Sequence, residues 1–349
     1  MAVYGPNRHA GANGLWSMMR PGPRSALPPS LTWLPLGPAD NRELAELLHR
    51  VEEVDDPPYR TTAQETAEYF IDPTYSGVAG RDADGVMRAF GLVRLRPAAE
   101  IYVSTIGTVD PGWRRLGIGG ALLHWQTERA RHLIGVERAA ARSHRGSVPA
   151  HVVTTVLEGD ERMMEHLAEL GFEPRRWYRE LRRDLSIPVP VIDLDRFLTV
   201  EPWSDELDDA ARRAHNEAVA EGGGQSPMSA EDWAAGRAYF APTWSFVAVD
   251  RSGDRARVAG YLRSGRYEQD WEALGWREGY TDMIGVLSEY RGRQVAEALL
   301  TSAMSAYARD GMQFAATGVD SDNPAGAVDL YRDLGYSPTR GSVLYSLDV

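Results

Sequence analysis

The chain has 349 residues and a formal charge of −12, with 43% apolar and 25% charged residues, the make-up of a globular protein long enough for two domains. All 38 basic residues are arginine and there is neither lysine nor cysteine, which excludes thiol nucleophiles, Schiff-base lysines, disulfides, thiolate zinc sites and the lysine of a P-loop. The acidic balance disfavours a nucleic-acid surface, which needs clustered positive charge, and suits an amine-bearing small substrate.

Residues 1–30 read as an extended arm, because Pro21-Gly22-Pro23-Arg24 and Pro28-Pro29 are poor in any periodic pattern. The arm lacks the apolar core of a signal peptide, and no run approaches the roughly 18 apolar residues of a membrane span. A cytoplasmic protein without a membrane partner is therefore expected.

The rest of the chain is a repeat. Tyr69-Phe70-Ile71-Asp72-Pro73-Thr74-Tyr75-Ser76 resembles Tyr239-Phe240-Ala241-Pro242-Thr243-Trp244-Ser245. Each is followed by a short apolar strand, a charged turn and a second strand, Ala89 to Val93 in one copy and Val258 to Leu262 in the other. A further strand, an Arg-rich loop and a helix come next, then a short helix and a Leu-Gly-aromatic-x-Pro turn. Those turns are Leu170-Gly171-Phe172-Glu173-Pro174 and Leu334-Gly335-Tyr336-Ser337-Pro338, each leading into a terminal strand. The reading is one duplicated α/β module, residues 31–187 and 188–349, divided near Ser186-Ile187-Pro188-Val189-Pro190 where two prolines break the pattern. Strands alternating with helices predict a mixed sheet flanked by helices in each module. Ala296, Leu300, Met304 and Tyr307 form the helical stripe that packs on the second sheet.

The first Arg-rich loop runs Val109-Asp110-Pro111-Gly112-Trp113-Arg114-Arg115-Leu116-Gly117-Ile118-Gly119-Gly120. It follows a strand and opens a helix. Glycine there lets free backbone N–H groups converge on phosphate oxygens, the helix N-terminus adds positive potential, and arginines supply charge. A tight strand-to-helix turn that merely needs glycine is the bland alternative. The second copy is Val286-Leu287-Ser288-Glu289-Tyr290-Arg291-Gly292-Arg293-Gln294-Val295-Ala296.

Both loops resemble the acyl-CoA pyrophosphate loop of the GNAT superfamily of N-acyltransferases, Gln/Arg-x-x-Gly-x-Gly/Ala. Arg114, Gly117 and Gly119 match throughout; Arg291 and Ala296 match, with Gln294 in place of the central glycine. The resemblance covers both modules. It implies two tandem GNAT-like modules with mostly antiparallel sheets, acetyl-CoA or another acyl-CoA as cosubstrate, and pantetheine held between splayed parallel strands. It also implies direct attack of a small-molecule primary amine on the thioester, without a metal or a covalent enzyme intermediate. The residues implied to hold CoA are Val109, Arg114, Arg115, Leu116, Gly117, Ile118, Gly119 and Gly120, with Val286, Arg291, Gly292, Arg293, Gln294, Val295, Ala296 and Asn323.

The family's general acid is usually a tyrosine in the last helix. Asn323 to Tyr336 matches that pattern and places Tyr331 four residues before Gly335; the same count from Gly171 gives Leu167, which has no proton to donate. A core aromatic is the competing reading of Tyr331, which lies on a stripe with Ala327, Leu330 and Leu334. For the base, Glu278, Tyr280 and Asp282 share a strand face by period two, and Glu278 and Asp282 are the carboxylate candidates, against solvated charges as the plain alternative. Glu100 and Tyr102 are the candidates of the first module. The C-terminal module is thus the expected catalyst, and the N-terminal one either holds CoA or shapes the substrate site. Two other functions stay open: aminoacyl-tRNA-dependent amide formation, using the Arg175, Arg176, Arg179, Arg182 and Arg183 cluster, and a non-catalytic acyl-CoA sensor.

Overall fold

In a computed structural model, residues 2–4, 27–71, 74–97, 100–141, 148–222, 227–234, 237–321 and 327–349 are described. Most of the arm, with Pro21 to Arg24, and Asn323 lie outside them. In chain order the first elements are β1 (Ala2–Tyr4), β2 (Thr32–Pro35), α1 (Asn41–Asp55), α2 (Ala63–Glu68), β3 (Tyr75–Arg81) and β4 (Met87–Pro97). They are followed by β5 (Ile101–Val109), α3 (Ile118–Ala141), β6 (Ala150–Leu157), α4 (Glu161–Glu169) and β7 (Glu173–Asp184). The later part holds β8 (Leu198–Pro202), α5 (Asp205–Gly222), α6 (Ala230–Ala234), β9 (Phe246–Asp250), β10 (Arg257–Gly265) and α7 (Trp271–Leu274). It ends with β11 (Glu278–Val286), α8 (Val295–Arg309), β12 (Phe314–Asp320), α9 (Ala327–Asp333) and β13 (Ser337–Asp348).

The chain packs as two compact units, residues 11–175 with 344–349 and residues 1–10 with 176–343. These limits fall inside β7 and β13, not at the proline pair near residue 188 that ends the sequence repeat. The physical reason is backbone pairing. Residues Tyr178 to Asp184 of β7 pair antiparallel with β12, which fixes them in the C-terminal unit. The end of β13 lies beside β6, with the Val349 N–H on the Ala150 carbonyl, which fixes it in the N-terminal unit. The last strand of each module thus passes in part into the unit named for the other.

The duplicated order is plain strand by strand. In the N-terminal unit β2, β3, β4 and β5 form an antiparallel run and β6 joins β5 in parallel. In the C-terminal unit β8, β9, β10 and β11 do the same, and β12 joins β11 in parallel. The mixed, mostly antiparallel sheet with flanking helices is the architecture read from the repeat. The Leu-Gly-aromatic turns close both short helices alike: Gly171 and Gly335 each have φ +85°, and the next N–H reaches back to Leu167 and to Tyr331 respectively.

The core of the C-terminal unit gathers Leu300, Met304 and Tyr307 of α8 with Val247, Ala248, Tyr261 and Leu262 of the sheet. Tyr307 is fully buried, and its hydroxyl meets Ser264 Oγ at 2.6 Å and Thr281 Oγ1 at 3.1 Å. Its ring lies directly over Gly279, where any Cβ would overlap it. Gly279→Ala should therefore cost about 2 kcal/mol or more by overpacking. Gly311→Ala, at φ +79° in open space, should cost only about 1 kcal/mol of backbone strain; urea midpoints compare the two.

His215 of α5 is also fully buried, with Nδ1 2.6 Å from the Tyr261 hydroxyl. Burial, aided by the charge of Arg263, lowers its pKa from 6.5 to about 4. Above pH 6.5 the imidazole is neutral whether folded or not. As pH falls from 6.5 to about 4 only the unfolded chain takes up the proton, so stability is lost across that window by roughly 3 kcal/mol. Denaturation series at pH 7 and pH 4.5 on wild type and His215→Gln check this: the substitution should flatten the decline.

Candidate active site

In both units the parallel strands part company. Pairing of β11 with β12 runs from Glu278↔Phe314 to Thr281↔Thr317 and stops, although β11 continues to Val286 and β12 to Asp320. Pairing of β5 with β6 stops likewise at Ser104↔Val153, with β5 continuing to Val109. The far side of β11 remains paired with β10, so the splay leaves the near edge of residues 282–286 free for another partner. β1 takes part of it, pairing antiparallel with Met283, Ile284 and Gly285. That edge therefore accepts an added extended chain.

At the point of divergence the units differ. Between β10 and β11 the register slips from Arg263↔Met283 to Ser264↔Thr281, which leaves Asp282 as the extra residue of a bulge. A bulge re-aims the side chain it carries. Asp282 is half-buried and accepts a 2.8 Å hydrogen bond from the Tyr267 hydroxyl. The equivalent β4–β5 ladder is continuous from Ala89↔Val109 to Pro97↔Ile101, with no bulge. Counting from the last parallel pair, the counterpart of Asp282 is Thr105. The first-module candidates Glu100 and Tyr102 lie at the opposite end of β5, bonded to each other at 2.7 Å.

Tyr331 is 1% exposed. Its hydroxyl is buried beside Thr317, the last paired residue of β12, with no hydrogen-bond partner at close range among the described residues. Burial raises its pKa to about 12, which keeps the phenol protonated. Leu167 holds the same place in the N-terminal unit and is fully buried.

Glu278 is set aside. It accepts from Trp276 Nε1 at 2.8 Å and from Arg182 Nε at 3.2 Å, and it lies four residues back along β11 from Asp282, about 13 Å. Arg182 in turn stacks 4.0 Å from the Trp276 ring. A carboxylate so paired sits at the closed end of the strands, away from the bulge. Tyr280 is bound at 3.1 Å to Glu180, a carboxylate on β7 that the sequence reading missed because it is brought in by strand pairing.

The two phosphate loops share a backbone. Arg115 and Gly117 have φ +63° and +77°, Gly292 and Gln294 have φ +74° and +60°, and Ile118 and Val295 open the helices that follow. Gln294 thus holds the left-handed conformation at the position where the first loop has glycine, a conformation that costs a side-chain-bearing residue about 1 kcal/mol. No side chain caps α8, which leaves its first-turn N–H groups to be met from outside. Gly119 and Gly292 have almost nothing where a Cβ would stand. Arg291, Gly292, Arg293 and Gln294 are exposed, as are Arg115, Leu116, Gly117 and Gly119; Val109, Val286, Ile118 and Val295 are buried anchors, and Ala296 and Gly120 are half-buried. Arg114 is not free, since it grips Asp55 with two 2.6 Å bonds. Behind this loop Asp110 accepts from Arg50 at 2.9 Å and Arg88 at 3.0 Å and caps Gly112. Burial acts to raise the Asp110 pKa, but the two guanidinium bonds prevail and hold it low.

The arginine cluster of β7 is not a basic surface. Arg176 pairs with Asp320 and Arg182 with Glu278, and Arg183 is buried on the carbonyls of Leu334, Ile187 and Pro188. Arg175 binds Asp348 at 2.6 Å. Among the described residues no helix is long and apolar enough to cross a membrane.

The comparisons with known proteins fit this geometry. A family model described as "Acetyltransferase (GNAT) domain" matches residues 243–338, within the C-terminal repeat. Mycothiol acetyltransferase of Salinispora arenicola is 31% identical over 273 residues, covering 76% of this chain and 79% of the relative. The Salinispora tropica protein of the same name is 30% identical over 285 residues, covering 77% and 90%. Among solved structures, a GCN5-related N-acetyltransferase from Sphaerobacter thermophilus superposes with TM-score 0.66 at 21% identity over 92% of this chain and 96% of that one. A tandem GNAT protein from the clavulanic acid pathway gives TM-score 0.63 at 18% identity, covering 91% and 98%. The repeated sheet, the paired splays and these relatives lead to one conclusion: the chain is a tandem, two-module N-acetyltransferase of the GNAT superfamily.

Proposed function

We propose that the protein transfers an acetyl group from acetyl-CoA to the primary amine of a small molecule, and that the C-terminal unit performs the chemistry. The observation that carries this reading is the asymmetry at the two splays. One has a bulge carrying Asp282 and a buried phenol at Tyr331; the other has an unbroken ladder with Thr105 and Leu167 at the matching places.

The residues present fit the cosubstrate. The edge of β11 that β12 leaves accepts an added strand, as β1 does at Met283 to Gly285, and a pantetheine arm with its two amides would pair in the same manner where β1 gives way to it. The backbone N–H groups of Gly292 through Ala296 sit at an uncapped helix start suited to a pyrophosphate, with Arg291 and Arg293 alongside. Acetyl-CoA bound there would supply the acetyl group as a reactive thioester.

In this reading Asp282 accepts the proton of the amine nitrogen, directly or through one water, so that the lone pair is available. As the nitrogen–carbon bond forms and the carbon–sulfur bond breaks, the Tyr331 hydroxyl gives its proton to the sulfur, and the proton that the new amide nitrogen sheds restores the phenol by way of solvent. The high pKa of Tyr331 suits that part, because the proton is in place before the thiolate appears. Asn323, outside the described residues, is assigned by its place in the family pattern alone. Loss of module symmetry leaves the N-terminal loop as a second CoA-holding candidate without an acid.

Tyr331→Phe keeps the ring and its packing, so stability should change by about 1 kcal/mol or less. Turnover should fall on the order of 10²-fold, in kcat more than in the KM for acetyl-CoA. Wild-type turnover in that variant would make Tyr331 a core aromatic and overturn the assignment of chemistry to this unit.

The loops are tested separately. An Asp at position 292 tolerates positive φ better than most side chains but sets a like charge against the phosphates. Gly292→Asp should raise the KM for acetyl-CoA on the order of 10²-fold, a like-charge cost of several kcal/mol being typical. Gly117→Asp should lower the calorimetric stoichiometry of CoA; an unchanged stoichiometry would mean that the N-terminal loop does not bind it.

A further inference from the structure

The face of β10 beside the bulge holds two buried donors that meet no acceptor among the described residues. Tyr261, Arg263 and Gly265 follow one another on this face by the strand's period of two. Arg263 is only 7% exposed, and among the described residues its Nε has no hydrogen-bond partner. Its guanidinium lies 4.8 Å from the ring centre of Trp233 and 5.3 Å from that of Phe240. Trp233 is 2% exposed, and its Nε1 is also buried without a partner. Both groups can only donate. A second guanidinium, that of Arg237, stands 5.2 Å from Phe240 and 6.0 Å from Trp233, already paired with Asp208 at 2.7 Å.

A buried guanidinium beside an unmet indole N–H is costly unless something accepts from it. The carboxylates nearby are committed. Asp208 accepts from Arg237 and from Trp203 Nε1, and Asp282 accepts from Tyr267. His215, on the floor of the cluster, is held by Tyr261. The position of the unmet donors is informative, because Arg263 pairs with Met283, the neighbour of Asp282, across the bulge. Asp282 Oδ2 stands 2.7 Å from where a Cβ on Gly265 would be, two residues along the same strand from Arg263, about 7 Å. An anion-binding guanidinium and a proton-accepting carboxylate thus share one side of the bulge, with the Asp282 charge acting on Arg263.

We infer that the acceptor of this enzyme is an amine that also carries an anionic oxygen group, which Arg263 and the Trp233 Nε1–H bind while Asp282 receives the amine. The inference rests on the N-acetyltransferase reading above and narrows it to amino acids and related amino-substituted acids. Trp233 and Phe240 hold the guanidinium in place by stacking, which preserves its donors for the ligand. A water molecule on these donors would satisfy them equally well but would give no preference between charged and neutral acceptors.

The test compares L-phenylalanine, L-phenylalaninamide and the matching aminophosphonate as acceptors of acetyl from acetyl-CoA. The acid, the phosphonate or both should exceed the amide in kcat/KM on the order of 10²-fold, the scale of one to two charge-assisted hydrogen bonds; which one leads tells a carboxylate site from a phosphate-type site. Arg263→Gln should reduce the preference to within a few-fold, and Trp233→Phe should reduce it in part, with the KM for acetyl-CoA unchanged in both. Turnover of the amide equal to that of both the acid and the phosphonate, or a preference that survives Arg263→Gln, overturns the anion site and leaves the acetyltransferase reading intact. Should no amine be acetylated, titration calorimetry of the acid and the amide on the wild-type protein still decides. Tighter binding of the acid supports the site, while equal or absent binding overturns it. The wild-type comparison stands even if the Arg263 variant fails to fold.

Discussion

The end of backbone pairing at Thr281 and Thr317 is the constraint on which the C-terminal unit is organised. A parallel pair that continued to Val286 would satisfy its own hydrogen bonds and leave nothing for a ligand. Because it stops, five residues of β11 have an edge that β12 does not use, and β1 pairs with three of them. Thr317 Oγ1 already spends its hydrogen bond on the Thr281 carbonyl at 3.0 Å, closing the last step of the ladder. Along the paired part Tyr307 packs over Gly279 and Tyr331 lies beside Thr317. The Tyr307 hydroxyl ties β10 to β11 through Ser264 and Thr281 just before the bulge. The residue freed by that bulge is a carboxylate, and the Tyr331 hydroxyl beside Thr317 has no close partner among the described residues.

The duplication supplies an internal control. Both units keep the positive-φ loop, the splay and the Gly-closed final helix, so these belong to the shared scaffold. The bulge, the carboxylate and the phenol occur in the C-terminal unit alone. In the N-terminal unit the matching places hold Thr105 and Leu167, and Gln126 reaches the carbonyls of Leu92 and Ile106 at 3.1 and 2.7 Å. A side chain that fills backbone acceptors next to the splay stiffens that sheet. The two copies thus share a scaffold and differ at the parting point of the strands.

Charge is handled by local pairing across both units. The chain has arginine as its sole long cation, and many of the arginines are gripped by a carboxylate or stacked on an aromatic ring. Arg182 does both, as does Arg237. Planar guanidinium groups suit that use, whereas an ammonium would not stack in the same way. Arg263 stands out against this background because it is buried and stacked, yet its Nε meets no acceptor among the described residues.

The sequence by itself determined the repeat, the succession of strands and helices along the chain, the two loops and the register of Tyr331 against Leu167. These depend on local spacing, since glycine at a positive φ, a Leu-Gly-aromatic turn and a 3.6-residue stripe are written within a few neighbouring positions. Tertiary structure decided the rest. Nothing in β11 read alone distinguishes Glu278 from Asp282 as carboxylates on one face. Pairing with β10 makes one of them a bulge residue, and Arg182 and Trp276 occupy the other. Gln294 looks like a lost glycine in the sequence, yet the fold holds its backbone where the glycine would be. Trp233 and Arg263 lie 30 positions apart and have no motif in common; only the packing of α6 on β10 brings their unmet donors together. Module limits at prolines could be read from composition, but the exchange of β7 and β13 could not, because hydrogen bonds between strands distant in sequence leave no mark on local pattern.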